Sequence, residues 1–188
     1  MVRWEPGARE RLQGAALELF GSQGFDGTTV AEIAARAGLT ERTFFRYFAD
    51  KREVLFTGQD AFERLFFAGL DATGSDEPMT SIGAAIGRAA DFFPDEHRPW
   101  SRARQQVIDA HEALRERELL KLSSLAAALT RALTDRGVDP TSAALAAETG
   151  VTVFRTAFAA WIAPSETRSF PQLQDAVMRR LHALIDAD

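Results

Sequence analysis

Hydrophobic residues along the chain recur at intervals of three and four positions, and the pattern is interrupted at glycine and proline residues. This spacing places apolar side chains on one face of an α-helix, and the alternation typical of strands is missing. The sequence therefore predicts an all-α fold, with the polar segment 71–80 as its clearest linker. The predicted helices run over residues 6–22, 30–37, 40–48, 50–70, 81–93, 100–111, 114–136, 141–162 and 171–185.

Local capping signals frame two short helices near the N-terminus. Thr29 and Glu32 have the spacing of a capping box, in which each side chain binds the backbone N–H of the other residue. Gly38 ends this helix, and Thr40 is the predicted N-cap of the next one. Two short helices joined by a tight turn form the helix-turn-helix pattern, whose second helix enters the major groove of DNA.

The second of these helices has two chemically different faces. Phe44 and Phe48 are four residues apart and form its apolar stripe, and at about 100° per residue Arg42 and Arg46 fall on the opposite side. A guanidinium group donates two hydrogen bonds to guanine O6 and N7, so such a pair is suited to reading bases. The alternative is an ordinary surface helix with a solvated charged face, and the pattern alone leaves both open.

The predicted DNA contacts divide into two groups. Side chains at the exposed face of the second helix are expected to reach base edges, whereas hydroxyl groups and the lysine at the next helix start are expected to bind phosphates. The predicted base contacts are Glu41, Arg42, Thr43, Phe45 and Arg46. The predicted phosphate contacts are Thr28, Thr29, Thr40, Tyr47 and Lys51.

Composition and charge exclude several kinds of protein. The chain has 188 residues, a net charge of -5 and no cysteine, so disulfides and thiolate metal sites are excluded. Residues 1–56 carry eight basic and eight acidic groups, and the negative charge therefore lies in the remainder. No apolar run approaches the roughly 20 residues of a membrane span, and the N-terminus lacks the pattern of a signal peptide. We predict a cytoplasmic protein with no membrane partner.

Catalytic motifs are missing from the sequence. The three histidines lie at unrelated positions, and no glycine-rich phosphate loop occurs. Residues 95–97 contain two carboxylates and a histidine, but a solvated loop explains them better than a metal site does. We predict no enzyme activity, no cofactor and no metal, which leaves a helical protein-interaction module as the alternative to DNA binding.

Residues 12–55, and above all "GFDGTTVAEIAARAGLTERTFFRYFADKREVL", resemble the N-terminal domain of the TetR family of bacterial transcriptional regulators. The resemblance implies a three-helix DNA-binding domain over residues 1–56 and a helical effector-binding and dimerisation domain over residues 57–188. It implies a ligand-responsive dimeric repressor that leaves a palindromic operator when a small hydrophobic effector binds. The alternative within this class is a constitutive regulator without an effector. The family often has tyrosine where this chain has Phe45.

The density of phenylalanine in the middle of the chain predicts an apolar effector pocket. His111 and Arg155 are the polar groups expected to orient the effector. The stretch "TGVTVFRTAFAAWI" resembles actinobacterial members of the family, including the mycofactocin-associated type, for which an acyl-CoA effector is implied. The predicted pocket residues are Phe62, Phe66, Phe67, Phe93, Trp100, Gln105, Ile108, His111, Leu122, Phe154, Arg155 and Phe158.

The last two helices carry wide apolar stripes. The resemblance implies that they pair with the same helices of a second copy in a four-helix bundle, although burial within one chain would produce the same stripes. The predicted dimer contacts are Ala143, Ala147, Val151, Trp161, Leu173, Val177 and Leu181.

Overall fold

A computed structural model of the protein describes residues 7–56, 58–75 and 77–185. Throughout these ranges the regular structure is helical, which confirms the predicted all-α fold. Pro6, the predicted start of the first helix, lies outside the described residues. The helices are α1 (Ala8–Gln23), α2 (Val30–Arg36), α3 (Glu41–Tyr47), α4 (Gln59–Ala72), α5 (Pro78–Ala89), α6 (Arg98–Asp109), α7 (Glu112–Thr134), α8 (Pro140–Trp161) and α9 (Phe170–Ile185).

The chain forms two compact units. The first comprises residues 1–57 and 103–118, so it includes the end of α6 and the start of α7 together with α1, α2 and α3. Its core is built from fully buried apolar side chains, among them Leu12, Ile33, Phe44, Ile108 and Leu114. The first unit therefore draws part of its core from a segment about fifty residues beyond the helix-turn-helix region.

The second unit comprises residues 58–102 and 119–188. Helices α4 and α5 approach closely at Gly69, where an added Cβ would lie 2.5 Å from the carbonyl oxygen of Ala84. Arg98 and Arg102 hold the segment after α8, because they donate hydrogen bonds to the carbonyls of Glu166 and Ile162, each at 2.6 Å. None of the described helices is long and apolar enough to cross a membrane.

The prediction of one helix over residues 50–70 is wrong in one respect, because this segment forms two separate elements. A 3₁₀ turn over Arg52–Leu55 ends at Phe56, and α4 begins only after Gly58. Gly58 has a φ of +80°, a left-handed conformation that glycine adopts without strain. A Cβ at this position would also lie 2.9 Å from Cζ of Phe92, so two separate constraints favour glycine here.

The apolar stripes of α8 and α9 belong largely to the core of the second unit, which corrects most of the predicted dimer contacts. Side chains that are buried in a single chain have no surface left for a partner. The corrected residues are Ala143, Ala147, Val151, Trp161 and Leu173, each at most 5% exposed. Val177 and Leu181 also contact this core and remain partly exposed.

Candidate nucleic-acid interface

The start of α2 is fixed by the predicted capping box. The Thr29 hydroxyl accepts a hydrogen bond from the Glu32 N–H at 3.2 Å, and the Glu32 carboxylate accepts one from the Thr29 N–H at 2.7 Å. The hydrogen bond from the Thr29 backbone N–H lowers the pKa of Glu32 the most, and the bond from the Thr29 hydroxyl lowers it further. The cap therefore binds the ionised carboxylate, and Thr29 itself stays exposed.

A tight turn reverses the chain between α2 and α3. Gly38 has a φ of +66°, and the N–H of Leu39 donates to the Ala34 carbonyl at 2.8 Å. The Thr40 hydroxyl then accepts from the Thr43 N–H at 3.2 Å, which makes Thr40 the N-cap of α3 as predicted. The turn and the cap together set the angle at which α3 leaves the turn.

The two faces of α3 are disposed as the sequence predicts. Phe44 and Phe48 are 0% and 3% exposed and their ring centroids lie 5.1 Å apart, so they anchor the helix to the core of the first unit. Arg42 and Arg46 are exposed. Phe45 is 54% exposed, although phenylalanine is usually buried.

Tyr47 organises the cationic surface beside α3. The Arg46 guanidinium lies 4.9 Å from the centroid of the Tyr47 ring and donates a hydrogen bond to its hydroxyl at 3.1 Å. Arg9, from α1, lies 5.7 Å from the same ring. Three side chains thus place two guanidinium groups near one phenol, a group suited to binding phosphate.

Lys51 is held by the protein's own backbone. Its ammonium group donates hydrogen bonds to the carbonyls of Phe25 and Thr28 at 2.6 and 2.7 Å. The Thr28 side chain is 1% exposed, and its hydroxyl donates to the Gly24 carbonyl at 2.7 Å. The predicted phosphate contact by Thr28 is therefore wrong, because burial removes its hydroxyl from the surface.

The segment after α3 is capped by Asp50. Its carboxylate accepts hydrogen bonds from the backbone N–H groups of Arg52 and Glu53 at 2.7 and 3.0 Å. Burial acts to raise the pKa of Asp50, but these hydrogen bonds and the charge of Arg52 hold it below its usual value. Asp50 thus stays ionised and fixes the chain directly after the exposed arginines.

Comparison with known proteins agrees with this geometry. A family profile described as "Bacterial regulatory proteins, tetR family" matches residues 14–57, which contain the capping box, the turn and α3. Over these residues the chain is similar to the TetR family.

The chain is also similar to the HTH-type transcriptional regulator TcmR of Streptomyces glaucescens, with 40% identity over 88 residues. The match covers 44% of this chain and 39% of TcmR, so the chain spans well under half of that relative's length. A TetR-family regulator from Syntrophomonas wolfei has a similar fold, with a TM-score of 0.66, 14% identity and 94% of each chain covered. FadR from Bacillus subtilis in complex with stearoyl-CoA is also similar, with a TM-score of 0.62, 15% identity and coverage of 95% and 98%.

Several predicted effector residues meet in the second unit. The Phe62 ring centroid lies 4.9 Å from that of Phe66, 5.6 Å from that of Phe93 and 5.1 Å from that of Phe154. Phe158 contacts Phe93 at 5.4 Å. Phe67 and Leu122 are partly buried against the same core. We call the rings of Phe62, Phe66, Phe92, Phe93, Phe154, Phe158, Trp161 and Phe170 the aromatic cluster.

Other predicted effector residues lie elsewhere, which corrects their assignment to one pocket. Gln105, Ile108 and His111 belong to the first unit. There Gln105 donates to Glu118 at 3.0 Å, and Ile108 is fully buried. Arg155 is exposed on α8, and Trp100 is 38% exposed on α6.

His111 has a different setting from the one predicted. Its Nε2 lies 3.0 Å from the Asp26 carboxylate, and its ring lies 4.6 Å from that of Phe25. These residues border a shallow depression of about 230 Å³ within the first unit. His111 therefore contributes to the first unit, and its predicted role in orienting an effector stays a prediction.

Sequence reasoning missed three residues of these sites. Arg9 is the second residue of α1, and the sequence alone does not show that it lies near Tyr47. Phe170 and Gln174 lie on the buried face of α9, at positions that continue its apolar repeat through Val177. Gln174 interrupts an apolar repeat, and a polar residue at such a position can be recognised from the sequence alone.

Proposed function

We propose that this protein is a DNA-binding transcriptional regulator whose α3 enters the major groove. One observation carries the proposal: Phe44 and Phe48 fix α3 from beneath, while Arg42 and Arg46 extend from its exposed side. This arrangement leaves the guanidinium groups available for guanine. Residues 1–56 then form the DNA-binding domain, with the segment 103–118 completing its core.

The exposed residues of α3 suggest a division of roles at the DNA. We propose that Arg42 and Arg46 read bases, with Glu41 and Thr43 beside them. Phe45 has no hydroxyl for a phosphate, so its exposed ring suits the 5-methyl group of thymine. The exposed Thr29 and Thr40 hydroxyls and the arginine-flanked Tyr47 suit phosphate oxygens.

We propose that the regulator binds its operator as a homodimer. Two recognition helices spaced about 34–36 Å apart read the two halves of a palindromic site. The surface available for this contact is the exposed side of α8, which carries Leu145 at 66% exposure and small residues such as Thr152 and Ala159. Small side chains allow close approach of a partner helix. Leu184 and Ile185 are exposed at the C-terminal end of α9 and extend this apolar surface.

The second unit supports a response to an apolar effector. Its aromatic cluster includes partly exposed rings at Phe62, Phe93 and Phe158, so ligand atoms have a route to this part of the unit. FadR, which has the same fold, forms a complex with stearoyl-CoA, and a long-chain acyl-CoA is therefore the first compound to test. Helices α6 and α7 each contribute residues to both units.

Repression follows from this arrangement. The unliganded dimer occupies its operator in the cytoplasm and blocks transcription, and effector binding lowers the affinity. A hundredfold decrease in operator affinity requires a coupling free energy of about 2.7 kcal/mol, within the usual range for allosteric proteins.

The experiment is selection of a duplex from a random-sequence library, followed by fluorescence anisotropy over a range of salt concentrations. We expect a palindromic sequence with a specific affinity at least a thousandfold above that for random duplex. The double variant Arg42→Ala, Arg46→Ala should lose this preference. The matched control is Arg64→Ala, Arg179→Ala, which removes two exposed arginines from the second unit. The proposal is contradicted if the wild-type protein shows no salt-dependent binding to any duplex.

A further inference from the structure

Gln174 is a buried amide without a hydrogen-bond partner. Its side chain is 4% exposed, and within the described part of the chain neither Oε1 nor Nε2 is bonded to another protein atom. Buried polar groups in native proteins are nearly always paired, so an amide that lacks partners on both atoms requires an explanation. A ligand group or ordered water that completes the site is one such explanation.

Other buried polar side chains of the second unit do find partners. Ser81 is 1% exposed, and its hydroxyl donates to the Ser75 carbonyl at 2.9 Å. The Trp161 indole N–H donates to the Asp95 carboxylate at 3.1 Å. Arg98 donates to two backbone carbonyls, each at 2.6 Å. Gln59 Oε1 and Arg98 Nε also lack a partner within the described residues, but both side chains form hydrogen bonds through another atom, whereas both polar atoms of Gln174 are unpaired.

The position of Gln174 connects it with the aromatic cluster. Residues four apart lie on the same face of a helix, so Gln174 follows Phe170 along the buried face of α9. The ring of Phe170 lies 4.9 Å from that of Phe93 and 5.7 Å from those of Phe154 and Trp161. A molecule that inserts among these rings therefore has the Gln174 amide on the same side of α9.

We propose that the Gln174 side chain is the hydrogen-bonding anchor for the effector of this regulator, an inference that rests on the proposed effector response. An amide offers one acceptor and two donors, so it pairs with a group that presents a donor beside an acceptor. The rings of the aromatic cluster are uncharged, and the charged side chains that contact Trp161, Arg98 and Asp95, form an ion pair with each other at 2.6 Å. Burial of a further, unpaired charge among these rings is strongly unfavourable. The effector class that this amide favours is an uncharged ring compound with a carboxamide or lactam group, in place of the acyl-CoA that the likeness to FadR suggests, since flat rings pack well against phenylalanine.

The test compares two probes with the same ring system. 2-Naphthamide carries the carboxamide, and 2-methylnaphthalene lacks it. We expect 2-naphthamide to bind the wild-type protein at least tenfold more tightly than 2-methylnaphthalene in isothermal titration calorimetry. We expect Gln174→Leu to lose this preference, because leucine offers no hydrogen bond. Equal affinity of the two probes for the wild-type protein, or an unchanged preference in Gln174→Leu, overturns the proposal.

Thermal unfolding without probe gives a second, independent readout. Leucine removes an unpaired amide from an apolar site, so Gln174→Leu should raise Tm by about 2–4 °C. A fall in Tm means that the amide is satisfied in the ligand-free protein, by water for example, and overturns the proposal. The matched control is Gln172→Leu on the exposed side of α9, which should retain the preference for 2-naphthamide and show no gain in Tm.

The two proposals fail in different ways. Wild-type affinity for duplex DNA is measured in the same preparation without probe. Absence of DNA binding contradicts the proposed function, whereas DNA binding with no discrimination between the probes contradicts only the role of Gln174.

Discussion

The Nζ atom of Lys51 lies 2.6 Å from the carbonyl oxygen of Phe25 and 4.1 Å from the centroid of the Phe25 ring. A second hydrogen bond, to the Thr28 carbonyl, joins the same ammonium group to the segment that leads into α2. One side chain therefore connects the residues after α3 with the residues before α2. This connection gives Lys51 a positioning role within the helix-turn-helix, and the phosphate contact predicted from the sequence stays a prediction.

Lys51→Met tests the positioning role, because methionine keeps the aliphatic length and removes the ammonium group. The variant removes the ammonium donor from both carbonyls, but the Phe25 carbonyl keeps the Thr28 N–H as a donor. A hydrogen bond that involves a charged group contributes about 1.5–3 kcal/mol. We expect the free energy of unfolding to fall by about 2 kcal/mol and the affinity for operator DNA to fall in parallel. The slope of log affinity against log salt should stay constant, since no phosphate contact is removed. Chemical denaturation and a salt titration measure the two quantities.

Arg64→Met is the control for this prediction, because it removes an exposed cation from the second unit. It should leave both stability and salt slope near the wild-type values. A Lys51→Met protein of normal stability whose salt slope decreases by about 0.9 would show that Lys51 binds a phosphate.

Arg42→Ala is expected to reduce sequence discrimination more than overall affinity. Arg42 is exposed on α3, and loss of a bidentate contact with guanine costs about 1–3 kcal/mol. The ratio of specific to random-duplex affinity should fall by about tenfold to a hundredfold. Competition anisotropy with the selected operator and with single-base variants measures this ratio. If the fall were the same for all duplexes, Arg42 would be a backbone contact.

Gly69→Ala and Gly87→Ala are expected to change stability in opposite directions. A Cβ at Gly69 would meet the backbone of Ala84 and Ala85 at 2.5–2.6 Å, so α4 and α5 must separate. Such overpacking costs about 1–3 kcal/mol. Gly87 is exposed in α5 with nothing within 4 Å of an added Cβ, and alanine should gain about 0.5–1 kcal/mol there. Two denaturation curves settle the comparison, and destabilisation by both substitutions contradicts it.

The features that the sequence predicted well depend on local chemistry. The capping box of Thr29 and Glu32 and the N-cap at Thr40 involve residues three apart, and the inward faces of α3 follow from helical period alone. The break at Gly58 depends on a contact with Phe92, which lies more than thirty residues away. Hydrophobic stripes indicate burial without naming the partner, so Trp161 and Leu173 were assigned to a second copy although the chain buries them itself.

Acid should weaken the loop between α8 and α9 through Glu166. The hydrogen bond from the Arg168 side chain, together with backbone N–H groups, lowers the pKa of Glu166 from 4.5 to about 2. Because the pKa is lower in the folded state, the ionised carboxylate stabilises the folded state at pH values above 4.5. This contribution disappears as the pH falls from 4.5 through about 2. Glu166→Gln should therefore be less stable than the wild type at pH 7, and the difference should shrink towards pH 2. Thermal unfolding across this range measures it, with Glu96→Gln at an exposed position as the control.

Leu145→Arg is expected to separate the proposed dimer into single chains. Leu145 is 66% exposed on α8, so arginine fits a free monomer without strain. In a dimer built on this face, the symmetry places two introduced charges in an apolar contact, and an unpaired buried charge costs several kcal/mol. Light scattering should give a mass near twice 20.7 kDa for the wild type and near 20.7 kDa for the variant. Leu120→Arg, at an exposed leucine of α7, should remain dimeric. A dimeric Leu145→Arg protein would place the contact on another surface.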